Sequence, residues 1–300
     1  MRRSSSSSTW LSSRFAAAGL AAIVLGALFV HVARADDALQ TIRDDVRDPP
    51  PPSPSSSGSR SSGNNSSGNS GSSAWDMFSD PDNPLSTAGA AGALLVAAAP
   101  FYGPIALLRD NWSEPGRFPR APYEDSPGYI NPDNDDLRLW SARFDAQYGN
   151  NGQGIDSLGG HFLLDSSFRL GLEASGGQLQ QHFPGGVCDR LAIGDANVVF
   201  RFAQAPWAEF RTGLGANWMS DRQEGNVGFN FTYSADFFPR NPWIISTVFD
   251  GGTLGHAGLF RFRLTGGVVF HGVEAFAGYE NLDIGRTDIN SVVTGLRFWF

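Results

Sequence analysis

The chain is constrained most by a run of alternating apolar and polar residues that extends from Leu137 to Phe300. Its last segment shows the alternation most clearly, since one face carries Asn290, Val292, Thr294, Leu296, Phe298 and Phe300. The other face carries Ile289, Ser291, Val293, Gly295, Arg297 and Trp299. Successive side chains of a β-strand point to opposite faces, which gives a period of two and not the period of a helix. The pattern therefore predicts a strand at this end of the chain.

The same alternation recurs upstream and predicts about ten consecutive strands. The nine before the terminal strand cover Leu137–Tyr148, Ser157–Asp165, Phe168–Ser175, Leu191–Ala203, Trp207–Trp218, Asn226–Phe237, Trp243–Phe249, His256–Val268 and Val273–Glu280. Short connections such as Gln204–Pro206 alternate with longer ones such as Asp250–Gly255, and aromatic residues stand at many strand ends. Transmembrane β-barrels have short turns at one end, longer loops at the other, and aromatic girdles at both interfaces.

The polar faces of the predicted strands carry charges of both signs. They include Arg143, Asp145, Arg169, Glu173, Asp195, Arg201, Glu209, Arg211, Asp236, Arg261, Arg263, Glu274 and Arg297. A water-exposed sheet tolerates such residues, but so many arginines beside acids suit a narrow lumen in which the charges pair. We therefore expect an all-β fold, an antiparallel transmembrane β-barrel of about ten strands. A soluble β-fold is the alternative, because sandwiches alternate as well.

The terminal sequence Gly-Leu-Arg-Phe-Trp-Phe resembles the last strand of Gram-negative-type outer-membrane β-barrel proteins. In that family an alternating last strand that ends on Phe is the assembly signal read by the barrel-assembly machinery. The resemblance implies that Leu296, Phe298 and Phe300 form this signal, and that the partners are the barrel-assembly machinery and outer-membrane lipid. It implies a location in the cell outer membrane and selects no characterised subfamily. The long segments before Leu137 depart from the pattern of simple small barrels.

Residues 1–35 have the parts of a secretory signal peptide. Arg2 and Arg3 precede the apolar run Phe15–Val32, and the small residues Ala33 and Ala35 follow it. A positive region, an apolar region and a small-x-small site are what signal peptidase recognises. We expect export with cleavage before Asp36; a retained membrane anchor is the alternative, because the apolar run is long.

Three segments of different composition connect the signal peptide to the barrel. Residues 36–48 are acidic with apolar residues at helical spacing and predict a short helix, which either docks or frays; a periplasmic partner is one candidate docking surface. Residues 49–73 are nearly all Pro, Ser, Gly and Asn and predict a disordered linker. Residues 74–136 predict an irregular segment, which is either a plug against the barrel or a loose periplasmic loop. Its one predicted helix, Thr87–Ala99, ends at Pro100 and is too short to span a bilayer.

Composition excludes several function classes. The net charge is −8 and the chain contains no lysine, which argues against a nucleic-acid partner. The single cysteine, Cys188, excludes an internal disulfide and a cysteine-based zinc site. His161, His182, His256 and His271 have no short metal-ligand spacing, and no nucleophile elbow or phosphate-binding loop is present. We therefore expect no catalytic residue, no cofactor and no metal site. His182 with Cys188 and Asp189 is the most reactive-looking group, and a mobile Gly-rich loop explains it better.

These observations lead to an expected function and topology. A barrel of about ten strands leaves little room among large lumen side chains, so we expect a structural or envelope-anchoring protein with a largely occluded lumen. A narrow pore or binder for small polar solutes is the alternative, and an outer-membrane hydrolase is a third possibility. An even strand number places the amino-terminal arm and Phe300 in the periplasm, and Cys188 in an external loop.

Overall fold

A computed structural model describes residues 37–48, 98–110, 114–131, 134–222 and 224–300 of the chain. The expected signal peptide (1–35) and linker (49–73) lie outside these ranges. The chain divides into two units, of which one is Pro50–Leu107. The other unit contains Leu108–Phe300 together with the residues up to Pro49, and it holds the barrel.

The barrel consists of ten antiparallel strands in chain order, and the last strand closes on the first. The strands are β1 (Trp140–Asn150), β2 (Ile155–Ser166), β3 (Leu170–His182), β4 (Cys188–Ala205), β5 (Ala208–Ser220), β6 (Gly225–Arg240), β7 (Trp243–Leu254), β8 (Ala257–Phe270), β9 (Val273–Ile284) and β10 (Thr287–Trp299). Closure leaves no unpaired strand edge in the sheet. The prediction of a closed antiparallel barrel of about ten strands is confirmed.

The two faces of the sheet have opposite chemistry. Large apolar side chains are exposed on the outer face, among them Phe144, Tyr148, Leu158, Leu170, Leu172, Val198, Leu214, Val227, Phe229, Ile245, Phe249, Phe260, Leu264 and Leu296. Charged and polar side chains are buried on the inner face. A water-soluble protein buries its apolar residues and exposes its charges. This barrel has the reverse distribution, as expected for a surface that contacts lipid.

The strands extend further at one end of the barrel than the sequence predicts. β7 and β8 are joined by Gly255 and His256 alone, and β9 and β10 by Gly285 and Arg286. We call this end, where β3 also connects to β4, the loop end, and the opposite end, where Phe300 lies, the turn end. The longer loop predicted at Asp250–Gly255 is therefore wrong, and so is the longer loop that the same pattern predicts at Leu282–Thr287. Their glycine and aspartate residues read as loops, but they continue the strand pairing.

A bulge interrupts the alternation in β4. Arg201 pairs with Arg211 and Ala203 with Phe210, so Phe202 is the extra residue. Its ring lies 5.7 Å from the ring of Tyr233. Such a bulge shifts the faces of the residues that follow it. As a result Arg201 and Gln204, three positions apart, point into the lumen together, and Arg201 Nε donates to Gln204 Oε1 over 2.9 Å.

Two helices precede the barrel in the described residues. Helix α1 covers Ala38–Arg47, as the spacing of the apolar residues predicts. Helix α2 covers residues 98–108 and ends at Arg109, whose φ of 51° is left-handed. The prediction that Pro100 ends a helix is wrong, since Pro100 lies within α2. Proline has a φ angle that suits a helix, and its lost hydrogen bond and steric clash can bend a helix without ending it.

The irregular segment at residues 114–131 closes the turn end. Its apolar residues Phe118, Ala121, Tyr129 and Ile130 form a buried cluster with Phe238, Ile244, Val269 and Trp299 of the barrel. Gly128 lies so close that a Cβ at this position would be 1.7 Å from the carbonyl oxygen of Pro206. Only glycine fits there. This part of the segment is packed against the barrel and is not a loose loop.

The proposed assembly signal lies on the lipid-facing side of β10. Leu296 and Phe300 are 47% and 52% exposed, and Phe300 pairs its backbone with Ala142 of β1. We expect Phe300→Asp to reduce insertion into the outer membrane, because a charge replaces the aromatic ring at the closing edge. The measurement is the amount of heat-modifiable, folded protein in the membrane fraction, with Asp136→Asn as a control outside the strands. Wild-type amounts of folded Phe300→Asp would contradict the assignment.

Candidate functional site

The charged residues of the polar faces lie inside the barrel. Arg143, Asp145, Arg169, Glu173, Asp195, Arg201, Glu209, Arg211, Asp236, Arg263, Glu274 and Arg297 are buried. Arg261 is the exception among the predicted lumen residues, with 17% of its side chain exposed. Buried charges are stable only when partners and hydrogen bonds replace the lost water. The pairing of these groups therefore determines what the lumen can do.

Arg297 of β10 contacts both of the strands that neighbour its own, β1 and β9. Its Nε donates to Asp145 of β1 over 2.9 Å, and its Nη1 donates to Glu274 of β9 over 3.0 Å. The indole Nε1 of Trp299 donates to the other oxygen of Glu274 over 3.1 Å. A planar guanidinium group can bind several carboxylates at once, which a lysine ammonium does less well. Arginine is therefore well suited to this position between two acidic side chains.

Arg211 of β5 is the centre of a second cluster. It donates to Asp165 of β2 and to Asp236 of β6, each over 2.8 Å, and it contacts Glu209 of its own strand. Arg201 of β4 shares Asp165 at 2.8 Å. Asp165 is 1% exposed. The sequence predicts the strand that ends at Asp165, but it does not identify Asp165 as a lumen residue. The cluster joins four strands across one side of the barrel.

Two ion pairs cross the lumen from wall to wall. Arg143 of β1 donates to Asp236 of β6 over 2.8 Å, and these strands are opposite each other in the closed order. Nearer the loop end, Arg261 of β8 contacts Asp195 of β4 at 2.8 Å and Asp250 of β7 at 2.6 Å. Side chains from opposite walls therefore touch at two levels. A solute cannot pass these levels unless the ion pairs separate.

Helix α1 caps the lumen at the loop end. Its apolar face, formed by Ala38, Leu39, Ile42 and Val46, is buried against Ile155, Leu179, Leu191, Met219, Leu254, Ala257, Leu282, Ile284 and Ile289. The close approach requires glycine at Gly255, where a Cβ would lie 2.2 Å from the carbonyl oxygen of Val46. A helix of this length is marginal alone. It is held by the barrel, so the predicted helix docks on its own chain.

The charged face of α1 is clamped at the loop end to the start of β4 and to the connection between β5 and β6. Arg43 binds Asp189 through two hydrogen bonds of 2.6 and 2.8 Å, and its Nε lies 2.9 Å from Asp221. Arg47 contacts the same oxygen of Asp221 at 2.9 Å and Glu224 at 3.4 Å. The hydrogen bond to Asp189 raises the pKa of Arg43 above its usual value. Arg43 therefore stays charged at all physiological pH values.

A third contact fixes the opposite side of α1. Asp45 accepts hydrogen bonds from the Arg286 backbone nitrogen at 2.8 Å and from Arg286 Nε at 2.9 Å. These bonds lower the pKa of the Asp45 carboxyl group. The exposed guanidinium is screened by solvent, so this pair adds little stability by itself. It does orient the helix, because its position opposite the Arg43 clamp prevents rotation of α1 about its axis.

The chain just before residues 114–131, which close the turn end, is anchored by a buried ion pair that is not predictable from the sequence. Asp110 accepts hydrogen bonds of 2.6 and 2.8 Å from the two terminal nitrogens of Arg169. Asp110 also accepts a hydrogen bond from the backbone of Gln204. The guanidinium of Arg201 lies 4.8 Å above the ring of Phe118, a cation–π contact. The polar lumen is therefore covered at both ends by segments of the same chain.

The residues that looked most reactive have structural contacts. Asp189 is engaged by Arg43, and His182 Nδ1 lies 3.5 Å from Asp156. Cys188 is exposed, with its Sγ 3.6 Å from the carbonyl oxygen of Asp189. His161, isolated in the sequence, is buried with Nε2 2.7 Å from Glu173. None of these contacts joins a nucleophile to a base that is in turn oriented by a third group.

No group of three or more His, Cys, Asp or Glu side chains is arranged to hold a metal ion in the part of the chain that the structure describes. None of the helices within the same ranges has the length and apolar character needed to cross a membrane.

The alternation of apolar and polar residues identifies the charged residues of the lumen, but it does not identify the residues from other segments that pair with charges of the barrel. It identifies Arg201 and Arg169 by alternation, but Asp110 and Arg43 lie in segments without strand periodicity. Their contacts with Arg169 and Asp189 join residues that are far apart in the chain, so no local sequence pattern predicts them. An isolated aspartate after an apolar run was the only signal for Asp110.

Comparison with solved structures finds outer-membrane proteins. The matches include a loop deletion mutant of OmpT, an outer membrane protein of Vibrio cholerae, at 10% identity and a TM-score of 0.30. That match covers 52% of this chain and 62% of the other, so the chain spans less than two thirds of that protein. The KdgM porin matches at 8% identity over 53% of this chain and 99% of the porin, with a TM-score of 0.26.

A third match is Ail, the attachment invasion locus protein of Yersinia pestis, at 12% identity. It covers 54% of this chain and 96% of Ail, with a TM-score of 0.26. These neighbours are outer-membrane β-barrel proteins, and this chain is a closed ten-stranded barrel. Identities and scores this low carry nothing about substrate or activity. No family model and no curated protein sequence matches the chain.

Proposed function

We propose that this protein is a closed barrel of the outer membrane with a structural or envelope-anchoring role and no steady conductance. The observation that carries the proposal is the contact between Arg143 of β1 and Asp236 of β6, two side chains from opposite walls. Separating a buried pair exposes two charges to a narrow, poorly hydrated interior, which costs several kcal/mol. A lumen closed in this way does not open by thermal motion often enough to carry solute.

A small cavity inside the barrel and the two caps support the same role. A cavity between the ion pairs and α1, lined by Gln147, Arg263 and Glu280 among others, has a volume of about 50 Å³. One water molecule occupies about 30 Å³ in the liquid, so this cavity holds one or two. Helix α1 covers the loop end and residues 114–131 cover the turn end. Each barrier alone would restrict transport.

The outer face supports the membrane location. Its apolar side chains are exposed on successive strands, including Leu158 at 63% and Val227 at 68%. Exposed apolar area on this scale is rare in a soluble monomer, and it is what a lipid-facing barrel requires. The export that the expected signal peptide implies is consistent with this location.

The contacts at the loop end support a role without catalysis. Asp189, Asp221 and Glu224 are three of the acids that a loop-borne hydrolase could use, and they pair with Arg43 and Arg47. A carboxylate held by a guanidinium group is a poor general base, because the ion pair stabilises its charged form. These acids hold a helix in place.

Conductance in planar lipid bilayers tests the proposal. We expect no steady channel from the purified wild-type protein, and none from a variant lacking residues 37–48, because the ion pairs beneath α1 still cross the lumen. Replacing Asp195, Asp250 and Arg261 together by alanine removes the level nearer the loop end and serves as the comparison variant. Porin-sized conductance steps from the wild-type protein would contradict the structural role and favour the narrow-pore alternative. Channels only in the variant without α1 would assign closure to the helix.

A further inference from the structure

A cleft of about 970 Å³ opens at the loop end between α1 and the ends of the neighbouring strands. Two Asp-Arg pairs border it, Asp189-Arg190 at the start of β4 and Asp221-Arg222 after β5. The two aspartates face α1 and hold Arg43. The two arginines are exposed, and in the part of the chain that the structure describes no carboxylate lies within ion-pair distance of either guanidinium. Both groups are therefore available to an anion in this cleft.

The floor of the cleft belongs to the outer face of the barrel. Gln178 of β3, Ala192 of β4 and Ser220 of β5 line it, and they are cross-strand neighbours in one row. The residues next to them in the chain, Leu191 and Met219 among them, point into the barrel and are buried. Side chains of a strand alternate between its two faces, so the row lies on the side that contacts lipid nearer the middle of the barrel. The cleft is therefore continuous with the membrane-facing surface.

The outer face changes its chemistry row by row from this floor toward the middle of the barrel. In the next row Gly176, Gly194 and Trp218 are cross-strand neighbours, and a Cβ on Gly194 would lie 2.5 Å from the indole ring. The ring therefore covers the glycines, and tryptophan is enriched at the boundary between headgroups and acyl chains. A row nearer the middle consists of aliphatic side chains that are each more than half exposed, namely Leu172, Val198 and Leu214. A membrane lipid has the same order of charged headgroup, polar interface and acyl chains.

The charge of the cleft favours an anionic headgroup. Four arginines and three aspartates line it, although the net charge of the whole chain is −8. Arg43 and Arg47 are engaged by the aspartates that face α1, which leaves Arg190 and Arg222 against Asp37. A planar guanidinium group binds the oxygens of a phosphate through two parallel hydrogen bonds. A lipid with a net negative phosphate headgroup therefore suits this cleft.

We propose that Arg190 and Arg222 bind the phosphate of an anionic membrane lipid, whose acyl chains lie along the outer face of β3, β4 and β5. The proposal rests on the membrane location given above, and it names a partner for the envelope-anchoring role. A soluble phosphate ion offers the same chemical group. The apolar rows that continue the cleft favour the lipid, because a soluble ion has nothing to contact there.

Lipid binding to the full-length protein tests the proposal. The purified protein is titrated in detergent with phosphatidylglycerol, with zwitterionic phosphatidylcholine and with inorganic phosphate, and the bound molecules are counted by native mass spectrometry. We expect phosphatidylglycerol to bind more tightly than phosphatidylcholine. Arg190→Gln combined with Arg222→Gln should weaken phosphatidylglycerol binding by roughly ten- to thirtyfold, since two favourable contacts with the headgroup charge are lost.

A second double variant controls for the removal of charge. It combines Arg120→Gln with Arg240→Gln, two exposed arginines of the turn end, and it should bind phosphatidylglycerol like the wild type. An equal loss in both double variants would show a general charge attraction and overturn the site. Binding of inorganic phosphate that depends on Arg190 and Arg222, without a preference between the lipids, would assign the cleft to a soluble anion. Recovery of the protein outside the membrane fraction would instead contradict the proposed location.

A change of shape without a change of charge gives a second readout. Ala192→Phe fills the floor of the cleft with a ring, while both arginines stay in place. Ala275→Phe is the matched control, because Ala275 is exposed on the outer face of β9, away from the cleft. We expect Ala192→Phe to weaken phosphatidylglycerol binding severalfold and Ala275→Phe to leave it unchanged, with both proteins still heat-modifiable. Equal binding by the two variants would contradict a lipid seated on this floor.

Discussion

Replacing Arg211 by methionine is expected to lower the free energy of unfolding of the barrel by about 3–5 kcal/mol. Arg211 is 1% exposed and contacts Asp165, Asp236 and Glu209. Without it, buried carboxylates lose the cation that compensates them, and no water can enter to replace it. Methionine fills much of the same volume, so the loss of stability results from the removed charge and not from a cavity.

Denaturation in urea, followed by the heat-modifiable band on a gel, measures this effect. The control is Arg222→Met at the loop end, where the arginine is exposed and the expected change is within about 0.5 kcal/mol. Adding Glu209→Gln to Arg211→Met should recover part of the stability, since one carboxylate fewer is left without a partner. A midpoint of Arg211→Met equal to that of Arg222→Met would show that the cluster does not stabilise the barrel.

The barrel itself is predictable because each residue of a strand is selected by the environment that its own side chain faces, which is lipid or the lumen. Each lipid-facing side chain must be apolar and each lumen side chain polar, so the alternation of β10 reports its environment directly. The bulge at Phe202 is not predictable in the same way. It depends on how β4 pairs with β5, and one inserted residue leaves only a small irregularity in the sequence.

The ends of the barrel depend on contacts that local patterns do not contain. Leu39, Ile42 and Val46 identify an amphipathic helix, but nothing in its sequence says that the loop end of the barrel receives it. Its binding surface is assembled from one or two residues at the end of each of several strands. Only the closed sheet brings those residues together. The sequence therefore predicts the helix at Ala38–Arg47 but not the end of the barrel on which this helix docks.

Replacing Ile42 by aspartate is expected to release α1 from the barrel without unfolding it. Ile42 is fully buried in the apolar cluster of the loop end. Its burial contributes about 1.5–3 kcal/mol, and a carboxylate there adds the cost of a charge without a partner. Trypsin should then cut after Arg43 and Arg47, which are only 9% and 19% exposed in the docked helix. The barrel should keep its heat-modifiability.

Gln40→Asp is the matched control for Ile42→Asp, since it adds a carboxylate to the exposed face of the same helix. Its repulsion from Asp44 costs a few tenths of a kcal/mol, so α1 should remain protected from trypsin. Amide hydrogen exchange adds a test with pH. The pKa of Asp45 is lowered in the docked state, so its contribution is complete above the pKa of a free aspartate and is lost as the pH falls through the lowered value. The protection factor of the α1 amides, which corrects for the slower intrinsic exchange at low pH, should therefore fall at acidic pH, and less so in Asp45→Asn. Protection of α1 in Ile42→Asp equal to that in Gln40→Asp would show that the apolar face does not hold the helix.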